Sequence, residues 1–322
     1  MFLREYILYW YNTYAKHRQR RNTQESYMYV IKLHIIDTDI ADKHIADITT
    51  LDIQQLFNYL LTDGYKGHGR KLGEKRGLSN SQVIKVRQIL MRMFEHALYE
   101  GLINRNPVKM TEPIPKTWTD KPVFTPEQQV KFLEVVKNDR YYPAYILFFY
   151  LGMRRSEIAG LSWNNINFTK NQLKVSQTVI IENGKPVLRN TTKTRTSIRV
   201  IPFPLEIHRI LKDYQRKIKS EKIKNEDDLV FIKKDGTGIS PESFSRKFKQ
   251  VCRKLGFSKK LHLHSARHTW ATNMIQAGAT ITDIQALGGW SDASMLLNVY
   301  SHTVKQSQKR SMNKLVKEIS IK

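Results

Sequence analysis

Cysteine is almost absent from this chain: Cys252 stands alone among 322 residues. No intrachain disulfide can form and a cysteine-rich zinc site is excluded, which points to a reducing, cytosolic setting. Long apolar runs are missing too. The longest, Ala144 to Gly152, is about half of the roughly 20 residues that cross a bilayer, so it reads as a buried core helix. Near the start, Arg4 and Glu5 interrupt the apolar residues and leave no secretory core, and Ser320-Ile321-Lys322 is no lipidation signal; no membrane partner is expected. There is no repeat of roughly 20 to 50 residues, no heptad run and no low-complexity tract, which disfavours solenoids, propellers and coiled coils.

Acidic residues are scarce relative to basic ones. Lysine and arginine number 54 against 29 aspartates and glutamates, a formal net charge of +25. That excess exceeds what solubility needs and points to a polyanionic partner, nucleic acid first; the alternative is a lysine-rich source composition. Charge alone does not name the partner. The length suits two modest domains, each with its own core.

The first hundred residues read as four helices. Apolar residues recur every three or four positions at Leu3, Ile7, Trp10 and Tyr14, then at Tyr27, Val30 and Ile31. Thr49 should start the third helix, with Asp52 in its first turn, one face made by Ile53, Leu56, Phe57 and Leu60, and an end at Gly64. Ser79 and Gln82 have capping-box spacing ahead of a long fourth helix carrying Val83, Val86, Leu90, Met93, Phe94 and Ala97. Asn106-Pro107 closes this domain, placed at residues 1–110. Between helices three and four, Lys66, Arg70, Lys71, Lys75 and Arg76 sit among glycines, where they either follow a phosphate backbone or are simply solvated. Arg18, Arg20 and Arg21 carry the same two readings.

Residues 111–122 lack an apolar period, and Pro113 and Pro115 favour an extended linker. Thr125-Pro126-Glu127-Gln128 then launches the second domain, placed at 123–322, with an N-cap, a proline at the first helical position and a glutamine at N3. Period-two patterning at Leu173 and Val175, at Val179 and Ile181, and across Ile198–Ile201, with Asn183-Gly184 as a hairpin turn, predicts a small antiparallel sheet. Helical spacing returns after Ser240-Pro241, where Phe244, Phe248, Val251 and Leu255 form a stripe that stops at Gly256.

Cleaving a phosphodiester without a metal takes a nucleophile, cations that stabilise charge on the non-bridging oxygens, and an acid for the departing alkoxide. Arg154 stands one helical turn from Glu157, so the carboxylate can orient the guanidinium for a phosphate; the alternative is an ordinary surface ion pair. Lys193 lies in or beside a turn joining two strands, where a flexible ammonium can enter a site. His264 and Arg267, three apart on a helix, point one way, and His268 continues the cluster. His262, His264 and His268 match no common zinc spacing, and neither a metal nor another cofactor is called for. Tyr300 is one of 15 tyrosines, and its position alone does not mark it as a nucleophile.

The ordered combination is more telling. Gly152-Met153-Arg154-Arg155-Ser156-Glu157, the strand-turn Lys193, the His-x-x-Arg of His264 and Arg267, Leu287-Gly288-Gly289-Trp290 and Tyr300-Ser301-His302 together resemble the tyrosine recombinase or phage integrase family over nearly the whole chain. The resemblance implies a multidomain fold: an all-α, SAM-like core-binding bundle, then a mainly helical α+β catalytic domain with a small antiparallel sheet. It implies that Arg154 and Arg267 hold the scissile phosphate, that Lys193 protonates the leaving 5′ oxygen, and that His264 assists proton transfer. Tyr300 would form a 3′-phosphotyrosyl bond that conserves the energy of the linkage, so no nucleotide is consumed. Trp290 stands where the family most often has histidine; its indole can donate a hydrogen bond and pack but cannot carry a proton away. Ala266 replaces a commonly larger apolar residue, and the spacing from Trp290 to Tyr300 is one residue longer than the commonest.

The expected activity is site-specific recombination of double-stranded DNA attachment sites for a phage or other mobile element, in the short form without an arm-binding domain, in a bacterial cytosol or nucleoid. A homotetramer on DNA is implied, with room for directionality or DNA-bending accessory proteins. A chromosome-dimer resolvase or a DNA invertase would use the same chemistry. A non-enzymatic DNA-binding regulator explains the charge but not the chemical residues. The tail, with Val304, Met312, Leu315, Val316 and Ile319, reads as an amphipathic helix docking either on its own domain or on a neighbour.

Overall fold

The computed structural model describes residues 1–19, 21–65, 76–116, 122–182, 184–190, 198–290 and 292, with every side chain but those of residues 21 and 22. The chain divides into two units, Met1–Thr119 and Asp120–Lys322.

In the first unit, α1 (Leu3–Trp10) leads into a π-helical turn, Tyr11–Ala15, and α2 (Arg21–Ile31) into another, Lys32–Ile36. The sequence spacing anticipates plain helices. A π turn holds one extra residue, so the buried stripe slips by one position. Ala15 is buried and Tyr14 only half-buried as a result. Tyr14 instead hydrogen-bonds Glu100 at 2.6 Å, beside Tyr6 on the other carboxylate oxygen at 3.0 Å. α3 (Thr50–Thr62) starts as anticipated: Thr49 Oγ1 accepts from the Asp52 N–H at 3.2 Å, and Asp52 accepts from the Thr49 N–H at 2.9 Å. Its buried face is Ile53, Leu56, Phe57 and Leu60. α4 (Asn80–Tyr99) is held at its start by Gln82, whose side chain accepts the Ser79 N–H at 3.1 Å. These caps satisfy N–H groups that a helix end leaves without partners.

Between α3 and α4 the chain is pinned where Tyr65 N–H donates to Arg76 O at 2.9 Å. The Arg76 guanidinium lies 4.3 Å from the centre of the Tyr65 ring. Lys66, Arg70, Lys71 and Lys75 lie outside the described residues. Past α4, Asn106 donates to Met91 O and to Glu95 Oε2, both at 3.0 Å, and closes the bundle. The first half of the expected linker is tied down: Glu112 N–H donates to Gln54 at 2.9 Å and Asn80 donates to Pro115 O at 2.9 Å.

The second unit opens with α5 (Pro126–Val135), capped by Thr125 Oγ1 on the Gln128 N–H at 3.2 Å. α6 (Tyr142–Tyr150) is the apolar run seen in the sequence, buried continuously from Pro143 to Phe149. Among the described residues no helix is long and apolar enough to cross a membrane. A short helix, α7 (Arg155–Ala159), precedes the strands. β1 (Ile166–Asn167), β2 (Gln172–Val175) and β5 (Arg199–Pro202) form one antiparallel sheet in the order β1-β2-β5; β3 (Gln177–Glu182) and β4 (Lys185–Asn190) form a separate hairpin.

The single sheet expected from the sequence is thus two. The chain leaves the first at Ser176 because β3 runs against the end of α7: a Cβ on Gly160 would lie 2.9 Å from the Thr178 backbone. Such an approach is open only to glycine. The hairpin turn has Gly184 at φ 75°; Asn183 and Lys193 are outside the described residues.

Among the described residues four further helices follow: α8 (Leu205–Ser220), α9 (Pro241–Lys254), α10 (Leu263–Gln276) and α11 (Ile281–Gly288). Phe124, Phe132, Phe149 and Phe248 meet with ring centres 4.5 to 6.2 Å apart, locking α5, α6 and α9 together. Such ring pairs add about 0.5–1.5 kcal/mol each beyond the area they bury.

Candidate active site

The chain leaves α6 through Gly152, whose φ of 59° is a left-handed conformation. A Cβ there would lie 2.2 Å from the Trp270 ring, so both the turn and the packing require glycine. Arg154 follows in an extended conformation, φ −76° and ψ 151°, as the N-cap of α7. This corrects the expectation of a helical Arg154–Glu157 pair. The same three-residue spacing is also that of a capping box, and Glu157 at N3 accepts the Arg154 backbone N–H on Oε2 at 2.7 Å. It also accepts Arg154 Nη1 on Oε1 at 2.6 Å.

Nor is this a surface ion pair. The Glu157 side chain is 2% exposed. From β5, Arg199 grips it with two parallel bonds, Nη1 to Oε1 at 3.0 Å and Nη2 to Oε2 at 2.9 Å. Burial pushes the Glu157 carboxyl up, but the Arg199 hydrogen bonds and charge, then Arg154 and Arg267, outweigh it and hold the group at about 2. Glu157 is therefore an anion that touches guanidinium groups on both oxygens.

The end of α11 supplies the remaining acceptors. Arg199 Nε donates to Leu287 O at 2.6 Å, Arg267 Nη2 to Gly288 O at 2.6 Å, and Arg154 Nη2 to Gly289 O at 2.5 Å. Arg267 Nη1 donates to Gly152 O as well, which ties α10 to the turn before Arg154. Helix carbonyls at this end have no partner within the helix and lie at the negative pole of its dipole. Gly289, at φ 67°, terminates α11. Trp290 then folds back under the cluster: the Arg267 guanidinium is 3.7 Å from its ring centre, and Trp270 stacks on it at 5.9 Å and 11°.

A cavity of about 500 Å³ opens beside these groups, lined by Arg154, His264 and Arg267 together with Arg155, Lys249 and His262. His264 is exposed at the start of α10, its ring perpendicular to that of buried His268 at 4.9 Å. The guanidiniums differ in access. The Arg154 side chain is 34% exposed and that of Arg199 6%, while Arg267 as a whole is 1% exposed. Four of the sequence-predicted residues, Arg154, His264, Arg267 and Trp290, with Glu157 behind them, thus meet in one place. Lys193 and Tyr300 lie outside the described residues. Arg18 is exposed in a 3-10 turn of the first unit, as is Arg76 at the base of its loop; Arg20 and the Arg21 side chain are outside the described set.

Arg199 is the residue that sequence reasoning passed over. Its signal is phase: it stands two positions before Ile201, so if Ile201 faces the core, Arg199 does too, and a buried arginine requires an anion.

The family model "Phage integrase family" matches residues 122–307, and "Phage integrase, N-terminal SAM-like domain" matches residues 2–61. A tyrosine recombinase XerC-like protein of Caldanaerobacter subterraneus is 25% identical over 304 residues, covering 88% of this chain and 74% of that protein. The ICEBs1 integrase of Bacillus subtilis is 27% identical over 283 residues, covering 86% and 75%. Among solved structures, the Tn1549 transposon integrase in complex with a circular-intermediate DNA superposes with a TM-score of 0.80 at 21% identity over 98% of this chain and 99% of that one. A lambda integrase dimer bound to a core site gives 0.66 at 19% identity, over 92% and 97%. With the family model spanning more than half of the residues, the chain belongs to the phage integrase family of tyrosine-type site-specific recombinases.

Proposed function

We propose that this recombinase cuts and rejoins attachment sites in duplex DNA for a mobile element, with Tyr300 as the nucleophile. Its phenolic oxygen attacks the scissile phosphorus, the bond to the 5′ oxygen breaks, and Lys193 gives that oxygen a proton. The product is a 3′-phosphotyrosyl bond and a free 5′ hydroxyl. Attack by a second 5′ hydroxyl reverses the step on a new partner and releases the tyrosine. Phosphoester bonds are exchanged one for one, so no nucleotide is consumed.

The observation that carries this reading is the convergence of Arg154, Arg267 and His264 on one cavity, with Glu157 anchoring the cations. A phenol titrates near about 10, so attack at neutral pH needs developing phenolate and phosphorane charge to be stabilised, which fixed guanidiniums do. Arg154, the more accessible, would meet a non-bridging oxygen first; Arg267, held over Trp290, would supply field from below. His264 would assist proton movement at the cavity mouth. In this reading the first unit, through Arg18 and the loop cations Lys66, Arg70, Lys71, Lys75 and Arg76, contacts the DNA backbone, and the working assembly is a homotetramer on DNA in the cytosol. The ICEBs1 integrase and the Tn1549 integrase among its relatives favour the mobile-element role.

The test is a duplex selected by the protein from a randomised pool, nicked beside the crossover phosphate so that cleavage is trapped, and incubated with EDTA. A covalent protein–DNA band that disappears in Tyr300→Phe supports the proposal. Selective binding without a covalent band from the unmodified protein would leave a DNA-binding regulator in its place.

A further inference from the structure

We infer that Arg199 is a positioning residue for strand cleavage: it holds Glu157 against the end of α11 and so sets the Arg154 guanidinium at the phosphate. This rests on the reaction proposed above and adds a residue to it.

The argument starts from an inverted strand. In β5 and the residue before it, Ile198 and Val200 are about half exposed, while the arginine between them is buried. Burying a guanidinium and exposing two β-branched apolar side chains is unfavourable by itself; the opposite register would avoid both costs but would expose Ile201, which is 2% exposed in the core. The register is kept by buried Ile201 together with what the arginine reaches. Arg199 spans from the β2–β5 sheet to two other elements: both terminal nitrogens go to Glu157 on α7, and Nε goes to the Leu287 carbonyl at the end of α11.

These contacts direct the donors of Arg199 inward, not to the cavity, whose lining includes Arg154 and Arg267 but not Arg199. Arg199 therefore acts through its neighbours. Arg154 makes one side-chain bond to Glu157 and one to Gly289 O; Arg199 grips the first acceptor directly and holds the Leu287 carbonyl two residues before the second. Arg199 reinforces the in-plane orientation of the carboxylate with a two-bond grip, beside the Arg154 backbone N–H on Oε2 and Arg154 Nη1 on Oε1. Gly289 also leaves room for it: a Cβ there would lie 2.9 Å from Arg199 Nη1. Without Arg199, the carboxylate would be held by Arg154 alone, the α11 end would lose one of its three guanidinium ties, and Arg154 would keep its charge but be aimed less firmly.

The experiment compares two versions of the selected, nicked duplex: one with the ordinary scissile phosphate, and one with a methylphosphonate there, which lacks the negative charge that Arg154 is set to meet. Single-turnover strand cleavage is measured at saturating protein for the unmodified chain, Arg199→Met, Arg199→Lys and Arg154→Ala. On the phosphate, Arg199→Met is expected to cleave about 10- to 100-fold slower, the scale of a misplaced catalytic group. DNA affinity should stay within about threefold, because Arg199 does not line the cavity. On the methylphosphonate, the deficits of Arg199→Met and Arg154→Ala should both shrink to within about threefold of the unmodified chain, since neither is then needed to neutralise charge. Arg199→Lys, which keeps a cation but not the two-bond grip, should fall between.

Equal deficits on both substrates would overturn the inference and leave Arg199 a structural residue. So would unimpaired cleavage of the phosphate by Arg199→Met. If Arg199→Met does not fold, judged by its circular dichroism, Arg199→Lys decides by the same comparison. Absence of any phosphotyrosyl product from the unmodified chain would instead count against the proposed function itself.

Discussion

Replacing Glu157 by glutamine is the sharpest test of the buried ion cluster. The side chain keeps its size and can still accept hydrogen bonds through one oxygen, but its amide turns donors toward guanidinium donors and the counter-charge is gone. The carboxyl is held at about 2 in the folded protein against an ordinary 4.5. That depression corresponds to about 3 kcal/mol of stability at neutral pH. A group with a depressed folded value contributes fully above its unfolded value and loses that contribution as the pH falls toward the folded one. The window is therefore about pH 4.5 down to 2, and the groups that face the carboxylate are Arg154, Arg199 and Arg267. Urea unfolding of the full chain, followed by tryptophan fluorescence because Trp270 and Trp290 stack beside the cluster, should show Glu157→Gln less stable by about 3–5 kcal/mol at pH 7. Near pH 3 the gap should narrow by about 2 kcal/mol as the wild-type carboxyl takes up its proton on unfolding. A gap that stays constant from pH 7 to 3 would refute the reasoning, because the linkage requires it to close.

Neutralising Lys66, Arg70, Lys71, Lys75 and Arg76 together should weaken DNA binding and lower the slope of log affinity against log salt by up to about 4.5, if all five meet phosphates; an unchanged slope in a filter-binding titration would reject direct contact. Gly288→Ala should destabilise the second unit by about 1–3 kcal/mol in a thermal scan, through overpacking. The added Cβ would sit 1.9 Å from the Trp290 ring and force apart the stack with Trp270.

Much of this fold is readable from side-chain spacing. α3, α4, α5 and α9 begin where Thr49, Ser79, Thr125 and Ser240 announce them, because a capping side chain and its helix are neighbours in sequence. The π turns after α1 and α2 are not readable, since one inserted residue shifts a stripe without altering its composition. In the candidate site, the grouping of Arg154, His264, Arg267 and Trp290 is legible from the order of their motifs. The role of Arg154 as a cap is not, because helical pairs and capping boxes share a spacing. Arg199 is hidden by the same ambiguity of phase that affects any short strand: Ile198 and Val200 can be read as the inward pair as readily as Arg199 and Ile201, and the Glu157 partner that makes a buried arginine tolerable is 42 residues away. The carbonyls of Leu287, Gly288 and Gly289 carry no sequence signature at all, being backbone.

Those carbonyls explain how three guanidiniums share so small a volume. Arg154, Arg199 and Arg267 bring three positive charges, and Glu157 returns one negative. A second full carboxylate would settle the cluster further but would leave little for a substrate. The end of α11 is a milder acceptor: its dipole is worth about half a negative charge, and each of its three carbonyls orients one arginine. About one and a half positive charges then remain in the cluster, with Arg155 and Lys249 adding to them at the cavity wall. A phosphodiester brings one negative charge and gains a second as an anionic oxygen adds to phosphorus. In the proposed reaction, the field left by this arrangement therefore exceeds what the ground state needs and leaves charge to spare for the pentavalent state, which is the condition for lowering the barrier instead of merely holding DNA. A site built only to bind the backbone would have no use for the surplus, nor for burying Arg199 and Glu157 to regulate it.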